Sequence, residues 1–309
     1  MFQIKTILPK VNFVNFFGHL NLPSPITQIN SPLLIEKQIQ LFIKRDELIH
    51  PVIQGNKWRK LKYNILDAQK NNQQTLLSFG GAYSNHLHAL AAIGKQLNLK
   101  TIGIIRGEAP QPLNPCLQDI KNWGMQLKFI KRIDYKQKNN THFINHLKQE
   151  FGDFYLIPEG GNNAAGKKGC AELLTELNEH YDIICCEVGS GTMLSALIEN
   201  NTNSLTRFLG FCVMKNKQLD DEIKNCLSAD VAEWEINHDY HFGGFAKTTT
   251  ELNDFIKRFK QKNNIQLEPV YSGKMLWGIL DLIKKNAFKP GSRILAIHGG
   301  GLQGLRGFE

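Results

Sequence analysis

What the chain lacks narrows its identity before any motif is read. Cysteine is scarce and unordered: the six residues, Cys116, Cys170, Cys185, Cys186, Cys212 and Cys226, include no C-x-x-C spacing and no histidine at metal-ligand spacing. That excludes a dithiol redox motif and a cysteine–histidine zinc site, so no metal is expected. Cys185 and Cys186 are adjacent inside an apolar strand pattern, where free thiols act as small core residues. A reducing, cytoplasmic compartment is the expectation. No apolar run is long enough to span a bilayer, and the opening stretch MFQIKTILPKVNFVNFFGHL has no uninterrupted apolar segment of signal-peptide length. The turn at Gly189–Thr192 is neither a Walker loop nor a G-x-G-x-x-G fingerprint, so it implies no nucleotide. Repeats and low-complexity blocks are also missing.

Charge of one sign is in excess, at +9, but it has no direction. The basic residues are scattered over helix-patterned faces such as 57–62 and 257–262, with no dense tail and no RNA-binding signature. A generally basic surface is expected, without a nucleic-acid partner. Hydrophobic content of 42% and charged content of 21% are ordinary for a soluble globular chain, and 309 residues suffice for one large domain or two intimate ones.

Apolar strand patterns alternate with helical ones along most of the sequence. Candidate strands are Leu41–Lys44, Thr75–Ser78, Thr101–Ile105, Gln126–Phe129, Phe154–Ile157, Ile183–Val188, Phe208–Cys212 and Arg293–Ile297. Helix patterns follow them, including Lys57–Lys70, Asn85–Leu97, Cys116–Trp123, Phe143–Phe151, Gly166–Glu179, Met193–Glu199, Thr250–Asn263 and Gly273–Asn286. Alternation of this kind, with strands apolar at nearly every position, predicts a doubly wound α/β architecture with mostly parallel sheets. Function then belongs at the carboxyl ends of the strands, where the glycine-rich turns fall.

Those turns carry the chemistry. In Gly55-Asn56-Lys57-Trp58-Arg59-Lys60, Lys57 stands at a helix start, where unpaired N–H groups and the macrodipole disfavour a second positive charge. Its pKa should fall, which suits an amine that must be neutral to attack a carbonyl. Lys60 lies one turn on, on the same face; a solvated basic first turn is the plain alternative. In Val188-Gly189-Ser190-Gly191-Thr192, a buried strand runs through glycines into a helix, so backbone N–H groups and two hydroxyls can converge on an anion. In Gly80-Gly81-Ala82-Tyr83-Ser84-Asn85-His86, the same geometry presents a hydroxyl, an amide and an imidazole in succession. Ser84 also suits an N-cap, and His86 a satisfied polar residue of the first turn. Glu268-Pro269-Val270-Tyr271-Ser272-Gly273-Lys274 and Ile297-His298-Gly299-Gly300-Gly301 complete the set; Tyr271 suits either a ligand or the edge of the core. The turn Glu159-Gly160-Gly161-Asn162-Asn163 precedes another helix and can border the site, with no chemistry assigned to it.

The series GNKWRKL, GGAYSNH, VGSGT, EPVYSGK and IHGGG, in this order, resembles the pyridoxal-phosphate enzymes that include D-cysteine desulfhydrase and 1-aminocyclopropane-1-carboxylate (ACC) deaminase. The match runs from about Leu41 to the C-terminus. The resemblance implies the tryptophan-synthase-β-like fold (fold type II), with the cofactor between two domains. The larger is expected at 1–65 and 161–309, and a smaller, mobile one at 66–160. It also implies that Lys57 forms the Schiff base with pyridoxal 5′-phosphate and that Lys60 contacts the phosphate. Gly189, Ser190, Gly191 and Thr192 would form the phosphate cradle. Ser84, Asn85 and His86 would face a small amino-acid substrate, Asn85 also lying beside the cofactor O3′. Tyr271 would line the substrate side, and Lys57, Ser84 and Tyr271 would be the catalytic set. Gly299 would border the cofactor near its ring nitrogen, where desulfhydrase-like relatives carry threonine; that nitrogen is left without an assigned partner. ACC deaminases carry a tyrosine just before the His-x-Gly-Gly segment and glutamine after Ser-Asn. Here those places read Ala296 or Ile297, and His86. D-cysteine desulfhydrase activity is therefore the preferred expectation, ACC deaminase the alternative, and cofactor binding without turnover a further one. A homodimer is expected from the resemblance.

Overall fold

Strand β7 (Ile183–Val188) is buried at every position, as an apolar run with helices packed on both faces requires. It sits in the middle of a six-stranded sheet. From one edge the order is β1 (Ile26–Ile29), β2 (Gln40–Lys44), β10 (Arg293–Ile297), β7, β8 (Arg207–Cys212) and β9 (Trp234–Asn237). All neighbours are parallel except β1, which pairs with β2 antiparallel. A second sheet is wholly parallel, in the order β5 (Gln126–Ile130), β4 (Lys100–Arg106), β3 (Thr75–Gly80) and β6 (Tyr155–Ile157). These facts come from a computed structural model that describes residues 20–229 and 231–308. Expectations for the opening residues therefore lie outside the described part of the chain.

Alternation along the strands divides the core. In the larger sheet, Cys185, Ile294 and Ala296 face one cluster with Ile256, Met275 and Ile279 from helices Thr250–Asn263 and Ser272–Lys284. Ile184, Cys186, Leu295 and Ile297 face the opposite cluster, with Leu173 and Leu194 from helices Ala164–Thr175 and Thr192–Asn200. In the smaller sheet, Leu76 and Ile105 pack under Leu87, Leu90 and Ile120 from helices Asn85–Leu97 and Pro115–Asn122. Leu77, Phe79 and Ile104 cover the other face with Leu147 of helix Thr141–Phe151. Full burial of each such aliphatic side chain contributes about 1.5–3 kcal/mol.

Helix Asn56–Lys70 connects the two halves. Trp58, Leu61, Ile65 and Ala68 recur at helical spacing and join the cluster on the smaller sheet. The opposite side meets helix Ala164–Thr175 so closely that a β-carbon on Gly169 would overlap the carbonyl oxygen of Arg59. The domain boundary expected at 65/66 falls inside this continuous helix. All eight candidate strands are present, with helix ends within a few residues of their expected places. Edge strands β1 and β9 carry no apolar run and gave no signal.

Candidate active site

Glycine turns at the carboxyl ends of β3, β6, β7 and β10 meet around the start of helix Asn56–Lys70. Gly55 enters that helix with φ of +56°, and a β-carbon there would overlap the carbonyl oxygen of Gly299. The amide of Asn56 donates to that same carbonyl at 3.2 Å. His298 fixes the facing turn: its Nε2 meets the carbonyl oxygen of Gln266 at 2.8 Å, while its Nδ1 accepts from the Gly300 amide at 3.2 Å. Nε2 therefore carries the proton.

Lys57 points from the first turn, its ammonium donating to Asn56 Oδ1. Its Nζ lies 6.0 Å from the centroid of the Tyr271 ring. Burial, and then the charge of Lys60, push the Lys57 pKa well below the ordinary lysine value. Lys60 is itself buried, and that burial lowers its pKa too. Its Nζ donates to Ser190 Oγ at 3.4 Å; Ser190 Oγ lies 2.8 Å from Thr192 Oγ1, and Thr192 donates to Asn162 Oδ1 at 2.9 Å. Gly191 caps helix Thr192–Asn200 with φ of +73° and no side-chain cap bond, so the first amides of this helix are open toward an anion. A lysine, two hydroxyls and a bare helix start are the donor set a phosphate dianion needs.

Tyr271 closes the opposite side, its ring edge 3.4 Å from where a β-carbon on Gly189 would sit. The Glu268 carboxylate positions it, accepting from the amides of Val270 at 2.7 Å, Tyr271 at 2.8 Å and Ser272 at 2.6 Å. Burial raises the Tyr271 phenol well above its ordinary pKa, so it stays protonated. Phe245 packs edge-on against Tyr271 with ring centroids 5.9 Å apart. Lys274 holds the loop carrying Phe245 by donating to the carbonyls of His241 at 2.9 Å and Gly244 at 2.8 Å.

Ser84 caps helix Asn85–Leu97, accepting from the Leu87 amide at 3.2 Å, which leaves its own O–H to donate elsewhere. Asn85 faces the C-terminal glycines: a β-carbon on Gly301 would come within 2.6 Å of Asn85 Nδ2, and Gln303 donates to Asn85 Oδ1. His86 is buried, with Nε2 2.9 Å from Ser78 Oγ and with Nδ1 lacking a hydrogen-bond partner. Burial, Lys57 and Lys60 drive its pKa down to about 3, so it is neutral. Its ring edge lies 3.5 Å from where a β-carbon on Gly161 would sit, and Lys60 Cβ lies 3.0 Å from that same point.

Several supporting residues escaped the sequence reading. Arg59, between the two lysines, donates to Asp46 at 2.6 and 2.8 Å and to Glu176 at 2.8 and 3.0 Å. Lys44 joins the same Glu176 at 2.7 Å. Arg59, Asp46 and Lys44 are all buried, so this network fixes the helix that presents Lys57. Asn162, in the turn left without chemistry, completes the hydroxyl relay. Glu187 is a lone acid in the buried strand Ile183–Val188, and that anomaly was visible in the sequence.

The residues fit pyridoxal phosphate: an amine held toward neutrality, an anion cradle beside it, and unpaired buried polar atoms in His86 and Glu187. Comparison with known proteins agrees. The chain is 31% identical over 278 residues to a putative 1-aminocyclopropane-1-carboxylate deaminase of Pyrococcus horikoshii, covering 85% of each. It is 29% identical to the mitochondrial bifunctional D-cysteine desulfhydrase/1-aminocyclopropane-1-carboxylate deaminase of Arabidopsis thaliana, covering 94% of this chain and 79% of that one. A crystal structure of an ACC deaminase homologue superposes with a TM-score of 0.78 at 28% identity, over 93% of this chain and 91% of that one. With residues 21–300 matching the family as a whole, the chain belongs to the pyridoxal-phosphate-dependent enzymes.

Proposed function

We propose that the protein is a lyase or deaminase of small amino acids, with D-cysteine its first substrate and ACC the alternative. The observation that carries this reading is the Lys57 amine, held toward neutrality beneath Tyr271 and beside the Lys60–Ser190–Thr192 cradle. Pyridoxal phosphate, when bound, supplies an aldehyde that condenses with amines and a ring that withdraws electrons from the substrate α-carbon.

The protein's own residues then do the rest. Lys57 would hold the cofactor, and its amine, kept toward neutrality, would take the substrate α-proton. Lys60, Ser190, Thr192 and the backbone of Gly189 and Gly191 would hold the phosphate. Open amides at the start of helix Asn85–Leu97, with the Ser84 hydroxyl and Asn85, would hold the substrate carboxylate, and Asn85 would also serve the cofactor. His86, neutral and unpaired at Nδ1, supports this side of the substrate. Tyr271 keeps its proton and excludes water from above. With D-cysteine, the α-proton leaves to Lys57 and sulfur departs from the β-carbon as sulfide. Water then releases pyruvate and ammonia.

D-cysteine is preferred over ACC because ring opening needs an extra acid or base beside the ring. Ala296 and Ile297, which stand where ACC deaminases carry tyrosine, are buried in the clusters on the two faces of the sheet. They offer no phenol to the site.

The same reading makes residues 66–160 a small domain that closes over substrate, joined to a larger one at 1–65 and 161–309, in a homodimer. A cytoplasmic setting is supported by cysteines that are all free, five buried and Cys226 exposed. No described helix is long and apolar enough to cross a membrane.

The test is to load the protein with pyridoxal phosphate and offer D-cysteine, L-cysteine and ACC. Pyruvate and sulfide from D-cysteine, lost in Lys57→Ala, are expected. Release of 2-oxobutanoate from ACC alone selects the alternative; no keto acid from any of them leaves a cofactor-binding protein without turnover.

A further inference from the structure

Threonine after the histidine of the last motif would offer a hydroxyl to the cofactor's ring nitrogen, but Gly299 offers none. The space is filled from a different strand. β7 and β10 pair in parallel, with Cys186 beside Ile297, so Glu187, still within β7, comes next to the His298-Gly299 turn that follows β10. A β-carbon on Gly299 would overlap Glu187 Oε1, come within 3.1 Å of Glu187 Cδ and reach 2.7 Å from Asn56 Nδ2. The carboxyl group thus occupies the volume that a side chain at 299 would take. Glu187 is only 8% exposed, and its Oε2 has no hydrogen-bond partner. A buried acceptor is stable only when a donor is supplied.

Resting on the cofactor reading above, we propose that Glu187 receives the N–H of the pyridoxal-phosphate ring nitrogen, in place of a hydroxyl at position 299. The ring nitrogen lies across the ring from the aldehyde carbon that Lys57 would hold, and Glu187 is near enough to Lys57 for their charges to interact. Burial, reinforced by Glu268, raises the Glu187 pKa, while Lys57 and Lys60 oppose the rise. The proton balance closes either way. A cofactor protonated at nitrogen meets the carboxylate, or a neutral Glu187 donates its proton to a neutral nitrogen; one proton ends between the two atoms. A hydroxyl shares a neutral nitrogen equally well, whereas a carboxylate holds it protonated and makes the ring a stronger acceptor of electrons from the substrate.

The experiment is nitrogen-15 magnetic resonance of the protein loaded with pyridoxal phosphate labelled at the ring nitrogen. Wild type should resonate in the pyridinium range, and Glu187→Gln should move toward neutral pyridine with cofactor binding weakened about tenfold or more. Gly299→Thr alone should lose the cofactor, because its β-carbon overlaps Glu187. The double variant Glu187→Ser/Gly299→Thr should regain cofactor with a neutral nitrogen, which also covers the case in which Glu187→Gln fails to fold. A neutral nitrogen in wild type, or one unmoved by either Glu187 variant, overturns the assignment while leaving the cofactor reading intact. Wild type that takes up no cofactor at all overturns both.

Discussion

The carbonyl oxygen of Gly299 stands where a side chain on Gly55 would begin, so two turns 244 positions apart in sequence touch through bare backbone. One turn leads into the helix of Lys57; the other ends β10. Their contact sets how far the lysine amine stands from the sheet.

Gly55→Ala tests that contact. Alanine would suffer both the positive φ of +56° and the overlap with Gly299. A loss of about 1–3 kcal/mol or more is expected. Cofactor uptake should fall with it, since Lys57 is the second residue of the helix. Denaturant titration and cofactor absorbance measure the two effects separately.

Lys60→Met tests the pairing of charges at the cradle. Lys60 lowers the Lys57 pKa, so its removal should raise the pH at which the Lys57 amine becomes neutral. The midpoint of cofactor uptake against pH should therefore move upward. Affinity for the phosphate group should also fall about tenfold or more. Lys60→Arg should restore much of the affinity, which a merely structural role would not predict.

Arg59→Met tests the buried network under the helix. Asp46 is fully buried and Glu176 is held by Arg59 and Lys44, so losing the guanidinium leaves a carboxylate uncompensated. Destabilisation of about 3–5 kcal/mol is expected in equilibrium unfolding. A change under about 1 kcal/mol would mean that the network does not restrain the helix.

His86 should make the protein acid-sensitive. Its pKa falls from 6.5 to about 3 on folding, so the unfolded chain takes up the proton first. The contribution is fully present above pH 6.5 and is lost as pH falls from there toward about 3. The slope is at most about 1.4 kcal/mol per pH unit from this group. His86→Gln should flatten that part of the stability curve; an unchanged curve would remove His86 from the account.

The strands were legible where burial on both faces makes nearly every residue apolar, as in Ile183–Val188. β1 and β9 were not, because an edge strand needs no such run: in Ile26–Ile29 only Ile29 is buried. Within the site, Lys57, Lys60, Ser190 and Thr192 were legible because helix starts and glycine turns carry local chemistry. Asn162, Arg59 and Glu187 were not assigned, because each acts on a partner distant in sequence.

The sequence alone determined the alternation of strands and helices, the glycine turns and the family, since each depends on short-range spacing and residue type. Only the tertiary structure decided that a glutamate from β7 fills the space beside Gly299, and that His86 is neutral with one nitrogen unpaired. Burial and proximity between distant segments set those properties, and neither is written in any single stretch of chain.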